Sequence, residues 1–147
     1  MEMTGEYLIP APRERVWEAL NDPEILGQAV PGCEEIEKLS DREMTATVQA
    51  KVGPVKAKFK GAVALKDINA PESYRIEGQG EGGIAGFAKG GADVKLAEDG
   101  DGTILSYTAN AQVGGKIAQL GSRLINSSAK KTADQFFKAF VQKVGGS

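Results

Sequence analysis

The chain has 147 residues, 18 of them Lys or Arg against 20 Asp or Glu, with one cysteine and no histidine. That length suits a single domain over residues 1–147, and the near-neutral balance argues against a dedicated nucleic-acid binder. Without histidine there is no Ser-His-Asp or Cys-His dyad and no His-ligated zinc. A lone Cys33 cannot close an internal disulfide, and no run approaches the roughly 20 apolar residues of a membrane span.

The first strand is expected over Met3–Ile9, closed by Pro10 and Pro12. Its acidic start, Met1-Glu2-Met3-Thr4-Gly5-Glu6, lacks the basic and apolar stretches of a secretory signal, so the expected location is the cytoplasm. From Arg13 the period changes. Val16, Trp17 and Leu20 fall at helical spacing, and Asp22-Pro23 ends that helix and opens a short second one through Leu26. Pro31-Gly32 is a turn, and a strand follows over Cys33–Leu39.

Period two then dominates. Met44, Ala46, Val48, Ala50 and Val52 alternate with polar residues up to Gly53-Pro54, and Val55, Ala57, Phe59, Gly61, Val63 and Leu65 continue beyond it. Two alternating runs across a tight Gly-Pro turn predict a hairpin with one wet face. Tyr74, Ile76, Gly78 and Gly80 extend the pattern. Ala88 to Leu96 follow, then a turn over Glu98–Gly102, then Leu105 to Val113. Seven strands in sequential hairpins predict a curved antiparallel meander. After Gly114-Gly115 the period returns to 3.6. Ile117, Leu120, Leu124, Ser128, Thr132, Phe136, Phe140 and Val144 mark one stripe, which predicts a helix of about 25 residues, about 38 Å long. Gly145-Gly146 should end it.

The inward strand face is rich in Ala and Gly: Ala46, Ala50, Ala57, Gly61, Gly78, Gly80, Ala88, Gly90, Ala92, Ala109 and Ala111. Two readings stay open. The sheet curls around the helix and leaves a cavity, or the small residues let helix and sheet approach closely.

Ala11-Pro12-Arg13-Glu14-Arg15-Val16-Trp17-Glu18-Ala19-Leu20-Asn21-Asp22-Pro23-Glu24 resembles the opening of the START/polyketide-cyclase (SRPBCC) superfamily, and so does the element order. Val30-Pro31-Gly32-Cys33-Glu34, Gly53-Pro54-Val55, Phe59-Lys60-Gly61 and Gly86-Phe87-Ala88 resemble the carbon monoxide dehydrogenase G-subunit family. The resemblance implies an α+β helix-grip (START/Bet v 1-like) fold: a seven-stranded curved antiparallel sheet around a long C-terminal helix, with two short helices after strand 1. It implies a ligand cavity between sheet and helix. It also implies an accessory role beside a molybdenum-containing carbon monoxide dehydrogenase or related hydroxylase, as a quinone carrier or membrane recruiter working at the inner face of the membrane. Many members carry a C-terminal segment able to anchor in a membrane; here the sequence ends at Ser147, directly after the helix.

Gly78-Gln79-Gly80-Glu81-Gly82-Gly83 is formally GxGxxG, but the next segment reads as strand, not the helix a dinucleotide site requires. A loop at the cavity mouth, with Ile84 and Phe87 as apolar lips, fits better. Cys33 has no base and no second thiol, so it is expected to be structural. Two aspartates, Asp99 and Asp101, lack the ligand series of a calcium loop, and no metal site is expected. Trp17 is expected in the core against Phe136 and Phe140.

The leading expectation is a non-enzymatic carrier holding a lipophilic small molecule such as a quinone, with no tightly bound cofactor. Its lining residues would be Leu26, Val30, Val48, Phe59, Val63, Ile76, Phe87, Tyr107, Leu120 and Leu124, with the Tyr107 hydroxyl meeting a ligand carbonyl. The first alternative is a docking module in which Lys51, Lys56, Lys58 and Lys60 form a basic stripe for an acidic partner or anionic headgroups. The second is a cyclase, dehydratase or hydrolase using the same cavity, in which inward carboxylates or Tyr would act as acid or base.

Overall fold

A computed structural model describes residues 1–145; Gly146, the second glycine of the expected helix stop, and Ser147 lie outside the described residues. The elements run β1 (Glu2–Ile9), α1 (Arg13–Leu20), α2 (Pro23–Ala29), β2 (Cys33–Ser40), β3 (Glu43–Val52), β4 (Val55–Asn69), β5 (Ser73–Glu81), β6 (Phe87–Asp99), β7 (Gly102–Gly114) and α3 (Ser122–Val144), with 3-10 turns at Gly83–Ala85 and Lys116–Leu120. All seven strands form one sheet in the order β1-β7-β6-β5-β4-β3-β2. Every pairing is antiparallel. The α1–α2 segment therefore carries the chain from one sheet edge to the other.

Local chemistry sets these boundaries. Pro10 and Pro12 end β1, and the buried Thr103 hydroxyl donates to the Ala11 carbonyl at 2.7 Å, tying that bend to β7. Asp22 caps α2 by accepting from the Glu24 backbone N–H at 2.9 Å, with Pro23 in the first turn. This helix runs past the expected end at Leu26 and stops at Ala29. The stop comes at Val30, which precedes Pro31 and is extended at ψ 118.

The C-terminal helix starts later than the apolar stripe suggests. Gly115 at φ 78 and Gly121 at φ 91 take backbone conformations that side-chain-bearing residues rarely adopt. They set Ile117 and Leu120 on a separate 3-10 turn, and α3 begins at Ser122 with 23 residues.

The apolar core forms two separate clusters. The larger joins the start of the chain to the end of α3. It contains Ile9, Ala11, Val16, Ala19, Ala29, Leu65, Tyr74, Val94, Leu96, Leu105 and Phe140, with Phe136 and Phe137 packed against it. Trp17 belongs to its edge, but its aromatic partner is Tyr74, edge-on at 5.1 Å. Phe136 and Phe140 stack on each other instead, at 5.6 Å. The smaller cluster holds Val55, Ala85 and Ile117, with Ala57, Phe59, Val113 and Leu120 around them. It ties together the β3–β4 turn, the Gly83–Ala85 turn and the segment before α3.

Candidate functional site

Strand register decides what faces α3. Ala46, Gly61, Gly80, Ala88 and Val113 form one inward row across five strands. Met44, Val63, Gly78, Gly90 and Ala111 form the next, and Leu65, Ile76, Ala92, Ala109 and Met3 the third. Of the first two rows only Val113 touches either apolar cluster. Val63 points inward, leaning over Gly78 so closely that a Cβ there would come within 2.8 Å of it, yet 36% of its surface is accessible. The helix opposite is equally small. Ser128, Ala129 and Ala133 lie in the middle of α3 and join neither cluster. Between the two clusters, a mostly small-residue part of the sheet and the Ser128, Ala129 and Ala133 stretch of α3 contribute almost nothing to either apolar cluster.

The expected lining residues divide by position. Val48 and Val63 lie on the inward side of β3 and β4, Ile76 packs against the main cluster, and Phe59 and Leu120 pack against the smaller one. Phe59 lies over Gly82, where a Cβ would meet its ring at 2.5 Å. Leu124 reaches the β3–β4 turn and packs on Gly53. Leu26 and Val30 are half-buried at and just beyond α2, which packs against both β2 and α3. Phe87 is misplaced in the expected set. It pairs with Gly114, out of phase with inward Ala88 and Val113, so its ring lies on the outer face, 44% exposed. Ile84, on the Gly83–Ala85 turn, is 93% exposed.

Tyr107 stands at the boundary between the main cluster and the small-residue floor. It is half-buried, and its ring crosses Gly5 of β1, where a Cβ would come within 2.5 Å of the ring. Beside it Tyr7 is nearly parallel, at 8° with ring centroids 6.3 Å apart, and Phe137 of α3 stacks on Tyr7 at 4.1 Å. The Tyr7 hydroxyl donates to Asp134 Oδ1 of α3 at 2.7 Å. Burial first, then the bond to Asp134 and the neighbouring Tyr107, hold the Tyr7 phenol above its ordinary value. Burial alone does the same to Tyr74, inside the main cluster. The Tyr7–Asp134 contact spans 127 positions, and no local pattern announces it.

The GxGxxG segment is strand through Glu81, followed by a 3-10 turn and then β6, so no helix N-terminus faces a phosphate site there. The Cys33 thiol donates to the Glu35 carbonyl at 3.5 Å. Among the described residues no group of three or more Cys, Asp or Glu side chains stands close enough to hold a metal. No helix among them is long and apolar enough to cross a membrane.

The lysine stripe lies on the outer face. Lys51 pairs directly with Lys56, while Lys58 and Lys60 sit opposite Gln49 and Thr47. Lys58 forms an ion pair with Glu34 at 3.0 Å. A shallow recess of about 800 Å³ crosses β4 to β7, lined by outward residues such as Ala62, Ala64, Glu77, Gln79, Lys89 and Gly91 and also by Met44, Val63, Gly78, Gly90 and Ala111 of the second inward row. No α3 residue lines it, although it shares the whole second inward row. Ala62, Ala64 and Gly91 are among its lining, residues that alternation alone assigns to an ordinary wet face.

A curved antiparallel sheet gripping a long C-terminal helix, with two short helices after the first strand, is the helix-grip fold of START/Bet v 1-like proteins. Solved structures with this fold include a START superfamily protein from Mycobacterium smegmatis (15% identity, TM-score 0.75, covering 97% of this chain and 96% of that one). Another is the Zhui aromatase/cyclase from a Streptomyces species (13% identity, TM-score 0.70, 98% and 93%). A conserved protein from Geobacillus kaustophilus is similar at 31% identity, with TM-score 0.91 and coverage of 98% and 95%. No curated protein sequence matches the chain. The carbon monoxide dehydrogenase G-subunit family (CoxG) matches residues 5–145, and the chain belongs to it.

Proposed function

We propose that this chain is a non-enzymatic carrier that holds a lipophilic small molecule, such as a quinone, between its sheet and α3, as an accessory protein of a molybdenum-containing carbon monoxide dehydrogenase or related hydroxylase. One observation carries the reading: the core is split, and between its two parts the inward sheet rows, mostly Ala and Gly, and Ser128, Ala129 and Ala133 of α3 supply almost nothing to either apolar cluster. Removing an apolar ligand from water against such a surface contributes about 25 cal/mol per Å² buried. Few polar groups line the space, so shape and apolar area would govern selection. Val48, Phe59, Val63, Ile76, Tyr107, Leu120 and Leu124 are the proposed lining, with Leu26 and Val30 on the α2 side. The family to which the chain belongs supports the partner enzyme.

The test is a titration with menaquinone and ubiquinone analogues. Saturable binding that Leu124→Trp abolishes is expected. Absence of binding, or binding that Leu124→Trp leaves unchanged, overturns the reading.

A docking role through Lys51, Lys56 and Lys60 is the second reading. It rests on the direct Lys51–Lys56 pairing, since like charges placed opposite each other on a sheet are destabilising unless something compensates them. Binding to an acidic partner surface that weakens steeply with added salt supports it, and salt-insensitive binding opposes it. A cyclase-type reaction would need an inward acid or base. The three inward rows carry no carboxylate, and the acid–base groups that adjoin them are the phenols Tyr107 and Tyr7 with Asp134 behind Tyr7.

A further inference from the structure

One end of the molecule sets bare apolar side chains among exposed cations. Three segments meet there: the β3–β4 turn, the Gly83–Ala85 turn and the stretch from Gly114 to the first turn of α3. Val55, Ala85 and Ile117 pack them together, and Leu124 packs on Gly53. Ile84 stands at the tip, 93% exposed, the most exposed of the described large apolar side chains. Its turn is bounded by Gly83 at φ 64 and Gly86 at φ 117. Phe87, also exposed, lies over Gly114. Lys51, Lys56, Lys116 and Arg123 are exposed in or beside the same segments, and none of them joins an ion pair among the described residues. The one carboxylate there, Glu81, sits opposite Lys60 across β4 and β5. The turns at the other end of the sheet differ in sign: they carry Asp41 with Arg42, then Asp67 and Glu72, then Asp99 and Asp101.

An isoleucine held out in water contributes nothing to the fold, and burying it requires a second apolar phase. Hydrocarbon beneath a layer of phosphates offers both halves of the match: the interior takes apolar side chains and the anionic surface takes lysine and arginine. We propose that this end of the molecule docks on an anionic lipid bilayer, with Ile84 inserted below the headgroups and Lys51, Lys56, Lys116 and Arg123 among the phosphates. The acidic turns at the opposite end then point away from the membrane, which fixes the orientation of the docked chain. This surface is independent of the carrier reading, because it is built from outward side chains and needs no ligand beneath α3.

The experiment is co-sedimentation of the full chain with vesicles, either phosphatidylcholine alone or one part phosphatidylglycerol to two parts phosphatidylcholine. At about 0.15 M salt, where charges are screened beyond about 8 Å, only cations near the surface count. The wild-type chain is expected to bind the anionic vesicles more than tenfold better than the neutral ones, since each cation close to such a surface is worth about fivefold. Ile84→Ser should weaken that binding about tenfold, the worth of a few buried carbons. Its side chain is almost wholly exposed, so the fold is unaffected. Lys116→Gln combined with Arg123→Gln should also weaken it more than tenfold. Lys138→Gln combined with Lys143→Gln removes the same charge from the far end of α3, about 22 Å or more from Arg123, and should leave binding unchanged. Absence of binding to the anionic vesicles overturns the inference. So does binding that Ile84→Ser leaves unchanged, or an equal loss in the Lys138 and Lys143 variant. Each of these results leaves the carrier reading standing, because the quinone titration uses no vesicles.

Discussion

Replacing Ala109 by leucine distinguishes an open inward face from a filled one. Ala109 sits in the third inward row between Ala92 and Met3, belongs to neither apolar cluster, and is only half-buried. In a close-packed interior the three added carbons would force neighbours apart, at a cost of about 1–3 kcal/mol. Over an unfilled space they meet no obstacle. Each carbon removed from water contributes about 0.8 kcal/mol, and a side chain lying along one wall of a gap is only partly dried, so a gain of up to about 1 kcal/mol is expected. Ala19→Leu is the control. Ala19 is fully buried in the main cluster, and the same change there should lose the full overpacking cost. Urea unfolding of both variants reads the difference as a shift in midpoint at constant slope. If Ala109→Leu loses as much stability as Ala19→Leu, the inward face is filled and the split-core reasoning fails.

Three further outcomes rest on particular contacts. Phe140→Ala removes a fully buried ring from the main cluster and should cost about 3–5 kcal/mol in the same assay. Thr103→Val leaves the buried Ala11 carbonyl without its partner and should cost about 1–3 kcal/mol, whereas Thr108→Val on the outer face should be near neutral. Tyr7 and Tyr74 both titrate above the ordinary phenol value in the folded chain. Their contribution to stability is therefore fully present below pH of about 10 and declines as pH rises above it, because the unfolded chain ionises first. Ultraviolet titration should show Tyr7 and Tyr74 silent until alkaline unfolding, and Tyr7→Phe should remove one silent phenol.

Periodicity carries most of the fold. The switch from period two to 3.6 after Gly114 and the prolines around Ala11 place nearly every element, because a half-buried sheet forces alternation. The misses have local causes. An apolar stripe continues across Gly121, and nothing in that stripe reveals that the glycine is left-handed and divides a 3-10 turn from α3. Apolar character alone suggests the cavity for Phe87, although its alternation with Ala88 already puts it on the opposite face. The side on which the strand residues Val48, Phe59, Val63, Ile76 and Tyr107 lie is legible because a strand fixes their parity. The Tyr7–Asp134 bond is not, since it depends on how α3 crosses the edge strand β1. The recess across β4 to β7 is equally hidden, because its lining comes from residues of four adjacent strands and no single apolar run marks it.

The most direct measurement is a crystal structure of the chain soaked with 1-bromohexane, with the bromine located by its anomalous signal. A peak over Gly78 and Ala109, beneath Ser128 to Ala133, is the expected result. Bromine found only in the outer recess beside Ala62 and Gly91, with side chains closing the region under α3, would contradict it.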